Sequence, residues 1–137
     1  MVQQNGRLFH IDFGHFLGNF KKKFGISRER AKFVFTPDFA YVLGGVGSED
    51  FADFVSLCCQ AYNILRKNAA NFINLMAMML STGIPELQKA KDIDYLRNTL
   101  CLDLADEKAA EHFGKEISSS LGCKTTIINN MIHILAH

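Results

Sequence analysis

The chain has 137 residues, of which 48% are hydrophobic and 21% charged, and its formal net charge is +1 at neutral pH. That length holds one core, no run approaches the ~18 apolar residues of a membrane span, and a net charge near zero supplies no long-range attraction for nucleic acid. The opening Met-Val-Gln-Gln-Asn-Gly lacks the basic-then-apolar pattern of a secretory leader, and Cys58, Cys59, Cys101 and Cys123 have neither CxxC nor metal-ligand spacing, so a cytoplasmic chain with reduced thiols is expected.

Asn5-Gly6 is a hairpin-turn signal, and Arg7–Ile11 reads as the strand that follows it. The strand runs into Asp12-Phe13-Gly14. A carboxylate there can give a hard oxygen to a divalent cation, the aromatic ring can pack beneath it, and glycine lets the backbone turn away. Standing alone, the same three residues are an ordinary strand end.

Lys21 to Lys32 carries six cations (Lys21, Lys22, Lys23, Arg28, Arg30 and Lys32) against the single acid Glu29. The segment is therefore +5 in a chain of +1, which leaves −4 for everything else. Positive charge concentrated in one short loop, with Gly25 and Ser27 making it pliant, asks for an anionic partner. A basic run by itself is as often a solvated face. Residues 1–47 are read as strand and loop, hold eight of the twelve phenylalanines before position 40, and close with the flexible Gly44-Gly45-Val46-Gly47.

Residues 48–137 are read as helical. Ser48 is the expected N-cap of a helix whose apolar stripe is Phe51, Phe54, Val55, Cys58, Tyr62 and Leu65. A second helix over 69–80 is apolar almost all round, which predicts a place in the middle of a bundle with its methionines as core filler. Gly83 ends it, Ile84-Pro85 begins the next connection, and shorter helices are expected at about 92–101, 105–119 and 126–136. His112, His133 and His137 read as surface or helix-end residues.

LFHIDFGH from Leu8 to His15, then GNFKKKFGISRER and FTPDF, resembles the activation loop of a class I phosphoinositide 3-kinase catalytic subunit. The likeness continues in order through AYNILRK, NFINLMAMMLSTGIPELQ, DIDYLRNTL and KAAEHF, and spans residues 3 to about 133. It implies an α+β fragment, mostly α: a short strand and activation-loop segment (1–47) followed by a helical bundle (48–137). Together these form the C-terminal portion of the larger lobe of a protein-kinase-like lipid kinase. The implied reaction moves the γ-phosphate of ATP to the 3-hydroxyl of phosphatidylinositol 4,5-bisphosphate.

The resemblance also implies roles. Asp12 would bind the Mg²⁺ that bridges the β- and γ-phosphates, with Phe13 packed beneath it, and Phe9 and Ile11 would line the adenine pocket. His15 would lie near the transferring phosphoryl group, a role for which His10 is the weaker choice. Lys21, Lys22, Lys23 and Arg28 would pair with the 4- and 5-phosphates of the headgroup, while Arg30 is read equally as a loop anchor. Recruitment to a membrane surface follows, with room for a regulatory subunit. Nucleic acid is not an expected partner.

Several positions depart from the family pattern. Ser27 stands where many relatives are basic, Ala31-Lys32 replaces Val-Pro, and Lys124 and Asn130 occupy the tryptophan positions of the last helix. The apolar face of that helix, Ile128, Met131, Ile132 and Leu135, is expected to pack on the lobe. Only eleven residues precede Asp12, so the glycine-rich loop, the phosphate-binding lysine and the catalytic loop are not in this sequence. The 137 residues alone are therefore expected to be inactive. The alternative reading is a non-catalytic truncated product, a helical module whose basic loop binds anionic lipid or protein.

Overall fold

The computed structural model describes residues 3–7, 17–19, 22–23, 26–27 and 31–136. Near the start, the Gln3 N–H donates to the Arg7 carbonyl at 2.8 Å and closes a turn around Asn5-Gly6. Of the strand expected over Arg7–Ile11, all beyond Arg7 lies outside the described residues. Two short strands, β1 (Lys22–Lys23) and β2 (Ile26–Ser27), pair antiparallel, with Lys22 opposite Ser27 and Lys23 opposite Ile26. The rest of the described chain is mostly helical.

The first helix, α1 (Pro37–Val42), corrects the reading of residues 1–47 as strand and loop alone. Its signal is visible in Thr36-Pro37-Asp38: an extended residue, then proline where the missing N–H costs nothing, then an acid facing the positive helix end. The glycine run that follows is an ordered connection rather than a loose tether. The Gly45 N–H donates to the Ala40 carbonyl at 2.8 Å, and Gly44 and Gly45 both hold left-handed φ values, of 81° and 89°.

Ser48 then starts α2 (Glu49–Lys67) as expected, its Oγ accepting the Phe51 N–H at 3.1 Å. The stripe through Phe51, Phe54, Val55, Cys58 and Tyr62 turns inward, but Leu65 does not. It is 46% exposed, and Arg66 beside it is buried instead.

Helices α3 (Ala69–Met79), α4 (Ala90–Thr99), α5 (Asp106–Leu121) and α6 (Lys124–Ala136) complete the order. The central cluster is Tyr62, Ala69, Leu100 and Ala109, with Ile73, Leu96, Leu104 and Phe113 against it. Tyr62 and Phe113 stack with ring centroids 4.4 Å apart, which locks α2 to α5. A second aromatic group centres on buried Phe35, whose ring lies 5.5 Å from Phe54 and 6.3 Å from Phe51. The start of α4 is held by Asp92, whose Oδ2 accepts the N–H groups of Gln88 and Lys89 at 3.2 and 3.0 Å.

Two expectations about burial are overturned. Helix α3 does not sit in the middle of a bundle: Phe72, Leu75 and Met78 are exposed, so its methionines are not uniformly core. It packs on α2 and α4 along one side, and no described element covers the other. Likewise α6 leaves Ile128, Met131, Ile132 and Leu135 exposed rather than packed on the lobe. It follows α5 after only Gly122 and Cys123, so its first turn, with Thr126 buried, is what the body receives. Among the described residues, no helix is long and apolar enough to cross a membrane.

Candidate functional site

Of the residues singled out from the sequence, Phe9, Ile11, Asp12, Phe13, His15, Lys21 and Arg28 lie outside the described residues, as do His10 and Arg30. Lys22 and Lys23 are the two residues of β1 and are placed by their backbone pairing with β2. What the structure contributes is the frame that holds this basic segment at its two ends.

At the leading end, Leu17 and Gly18 are both left-handed, with φ of 54° and 83°. Gly18 lies flat against the Tyr95 ring of α4. A Cβ there would come within 2.8 Å of the Tyr95 Cδ2, so glycine is required both by its φ and by this close approach. The next residue, Asn19, donates its Nδ2–H to the Glu86 carbonyl at 2.9 Å, tying the loop to the connection before α4. Leu17 carries a side chain in a region that costs about 1–2 kcal/mol, a strain these neighbours offset.

At the trailing end, Phe33 lies 5.9 Å from Phe113, and Phe35 is buried among the aromatic residues of α1 and α2. The residues that flank the segment of net +5 are thus anchored, Gly18 and Asn19 on α4 and the connection before it, and Phe33 and Phe35 on the aromatic residues of α1, α2 and α5.

Next to these anchors lies a cavity of about 350 Å³. Lys32, Phe33, Tyr62, Tyr95, His112 and Glu116 form most of its wall. Lys32, the last residue of the basic segment, lines it with the following Phe33, and so does Tyr95, the ring that meets Gly18. His112, a surface residue in the sequence reading, faces it with its Nε2 3.8 Å from a Glu116 carboxylate oxygen. Tyr62 donates its hydroxyl to the Thr99 carbonyl at 2.8 Å. Burial first, then Cys101, pushes that phenol well above its ordinary range, so it remains a donor.

The residue that sequence reasoning missed is Arg66. Its Nε donates to the Leu100 carbonyl at 2.9 Å, and one Nη donates to the Asn63 Oδ1 and the Asp106 Oδ1, each at 2.8 Å. The other Nη donates to the carbonyls of Cys101 and Leu104. A planar fork with five donors is suited to gathering the carbonyls of the α4–α5 turn, and a point charge is not. The signal was available in spacing: Arg66 follows Tyr62 by four and precedes Ala69 by three, on the inward stripe.

Asp12, the metal ligand expected from the resemblance, lies outside the described residues. Among the described residues, no group of three His, Cys, Asp or Glu side chains could hold one. A lone carboxylate fits Mg²⁺, which takes one or two protein oxygens and completes its shell with phosphate and water.

The model of the family described as phosphatidylinositol 3- and 4-kinase matches residues 1–89, from the opening turn through α3 to the start of α4. The chain belongs to that family. Its lipid-kinase relatives extend the match over the whole sequence. It is 63% identical over all 137 residues to phosphatidylinositol 3-kinase 1 of Dictyostelium discoideum and 60% identical to phosphatidylinositol 3-kinase 2 of the same organism. It is 47% identical over 99% of its length to the human phosphatidylinositol 4-phosphate 3-kinase C2 domain-containing subunit beta. It spans 9%, 7% and 8% of these three relatives, respectively.

Proposed function

We propose that this chain is the activation-loop and helical part of a phosphatidylinositol 3-kinase. The full-length protein would transfer the γ-phosphate of ATP to the 3-hydroxyl of phosphatidylinositol 4,5-bisphosphate. The observation that carries the reading is the basic segment in its frame. A net +5 loop lies a few residues after Asp12-Phe13-Gly14, and the residues that flank it contact Tyr95 and Glu86 on one side and Phe113 and Phe54 on the other. Fixing the ends lowers the entropy lost when long cationic side chains close on a polyanion.

In this reading Asp12 holds Mg²⁺, which supplies neutralisation of the phosphate charge, and Phe9, Ile11 and Phe13 shape the nucleotide side. His15 faces the phosphoryl group. Lys21, Lys22, Lys23 and Arg28 receive the headgroup, and the protein is recruited to a membrane surface from the cytoplasm. The class I assignment rests on the two basic clusters. The 137 residues by themselves are inactive in this reading. The exposed apolar faces at Leu57 and Ile64 of α2 and Leu75 and Met78 of α3 suit packing against further chain.

A second headgroup is favoured by one observation. Ser27 stands where many relatives carry a basic residue, so the second cluster is one charge short. That suits a lipid with fewer phosphates, as in the relative named for phosphatidylinositol 4-phosphate.

Charge reversal separates these readings. With Lys21, Lys22 and Lys23 all changed to Glu in the full-length protein, phosphorylation of the bisphosphate lipid in vesicles should fall at least ~100-fold, since three close attractions become repulsions. Turnover of unphosphorylated phosphatidylinositol should fall far less. Equal turnover of the bisphosphate lipid by variant and parent would remove the headgroup role. Anionic-vesicle binding without turnover in the parent would favour the non-catalytic alternative.

A further inference from the structure

The cavity next to the basic segment has a lining that anchoring the loop does not require. Four aromatic residues, Phe33, Tyr62, Tyr95 and Phe113, share its wall with the carboxylate of Glu116. The Phe33 and Phe113 rings lie 5.9 Å apart at 40° and make a corner, and Phe113 is fixed in turn by its stack on Tyr62. At about 350 Å³, largely apolar with a few polar groups, the space suits a small organic ligand.

Glu116 decides the charge of that ligand. Its side chain is only 26% exposed, and the His112 Nε2 stands 3.8 Å from it, too far for a hydrogen bond. An imidazole offsets a carboxylate only when it is protonated. Lys32, also on the wall, is exposed, so water screens its charge. Arg66, 6.0 Å from the Tyr62 ring, is paired with Asp106. The carboxylate is thus drawn out of water with little to neutralise it, among rings whose faces attract positive charge.

We propose that this cavity binds an organic cation, a substituted ammonium, with Glu116 as its counter-charge and Phe33, Tyr95 and Phe113 as aromatic walls. A bare ammonium or metal ion holds its water too firmly to gain from such walls, whereas a methylated nitrogen sheds it readily. Phe33 follows directly on Lys32, and Tyr95 meets Gly18, so an occupant lies against residues that anchor both flanks of the basic segment. The same methylated nitrogen is found in a free metabolite or in a lipid headgroup.

The test is a ligand-observed NMR titration of the full-length protein with choline at about pH 8, beside its uncharged isostere dimethylbutanol, in which carbon replaces the nitrogen. Neither ATP nor an inositol lipid is present, so the result stands apart from the kinase reading. Choline should bind saturably and at least about tenfold more tightly than dimethylbutanol. Glu116→Gln should weaken choline about tenfold and leave dimethylbutanol unchanged, because shape is kept and only charge is lost. Phe33→Leu, which keeps an apolar wall, should weaken choline about threefold. Displacement of choline by phosphatidylcholine vesicles would assign the cation to a lipid headgroup, and its retention against them to a soluble ligand; either agrees with the site. No saturable binding of choline to the parent, or dimethylbutanol bound as tightly as choline, overturns the proposal. So does a Glu116→Gln protein of parental melting temperature that binds choline as the parent does.

Discussion

Asp12→Asn in the full-length protein is expected to lower lipid phosphorylation by about 10³-fold while leaving the fold intact. The carboxylate and the amide have the same shape, so only the charge is lost. In the proposed site that charge holds Mg²⁺ against the β- and γ-phosphates, and losing about 4 kcal/mol of charge stabilisation at the transition state corresponds to a thousandfold in rate. The effect belongs in kcat more than in the KM for lipid, because the headgroup contacts are assigned to the basic loop. The check is steady-state kinetics on bisphosphate vesicles with a thermal melt alongside. An Asp12→Asn protein that melts normally and keeps more than a tenth of parental turnover would take the metal role from Asp12.

Arg66→Met should cost about 3 kcal/mol of stability and lower the melting temperature of the domain by roughly 10 °C. Methionine matches the length of the arginine stem and can occupy the same space beside Tyr62. It leaves the carbonyls of Leu100, Cys101 and Leu104 without their donor, in a turn that already holds Cys101 at a left-handed φ of 46°. Each buried polar group left unpaired costs about 1–3 kcal/mol. The ion pair contributes less than this network, because Asp106 is 46% exposed and solvent screens it. Asp106→Asn should therefore cost no more than about 1 kcal/mol. Arg66→Lys should recover less than half the loss, since a point charge cannot span three carbonyls and an amide. Differential scanning calorimetry on the full-length protein, with hydrogen exchange at residues 100–106, measures both. An Arg66→Met protein within about 1 kcal/mol of the parent would show that the turn is held by packing alone.

The same arginine shows where sequence reading stops. The cap at Ser48 and the stripe from Phe51 to Tyr62 were legible because both are local, set by hydrogen bonds and periodicity within one helix. At the next turn, hydropathy chose Leu65 over Arg66, although the spacing allowed either. What decided it was a cluster of carbonyls 34 to 38 residues away. Helix α1 was missed for a different reason: the phenylalanine-rich run drew attention from Thr36-Pro37-Asp38, a complete start signal.

The family was legible in Asp12-Phe13-Gly14 and the lysine run, the residues to which the proposed chemistry is assigned. Their framing was not. The bond from Asn19 to Glu86 joins positions 67 apart, and nothing in either neighbourhood announces the other. The contact of Gly18 with Tyr95 is equally non-local. For α3 and α6, apolar composition was read as burial, but composition does not say what covers a face.

The central claim is that the framed basic segment serves phosphoryl transfer to an inositol lipid. Its most direct test is to incubate the full-length protein with Mg²⁺, ATP labelled on the γ-phosphate, and vesicles carrying phosphatidylinositol, its 4-phosphate or its 4,5-bisphosphate. The position of the label on the deacylated headgroup is then determined. The account predicts label on the 3-position, greatest with the bisphosphate lipid and lost in the Asp12→Asn protein. Label on the 4-position, or none in any lipid from a folded protein, would contradict it.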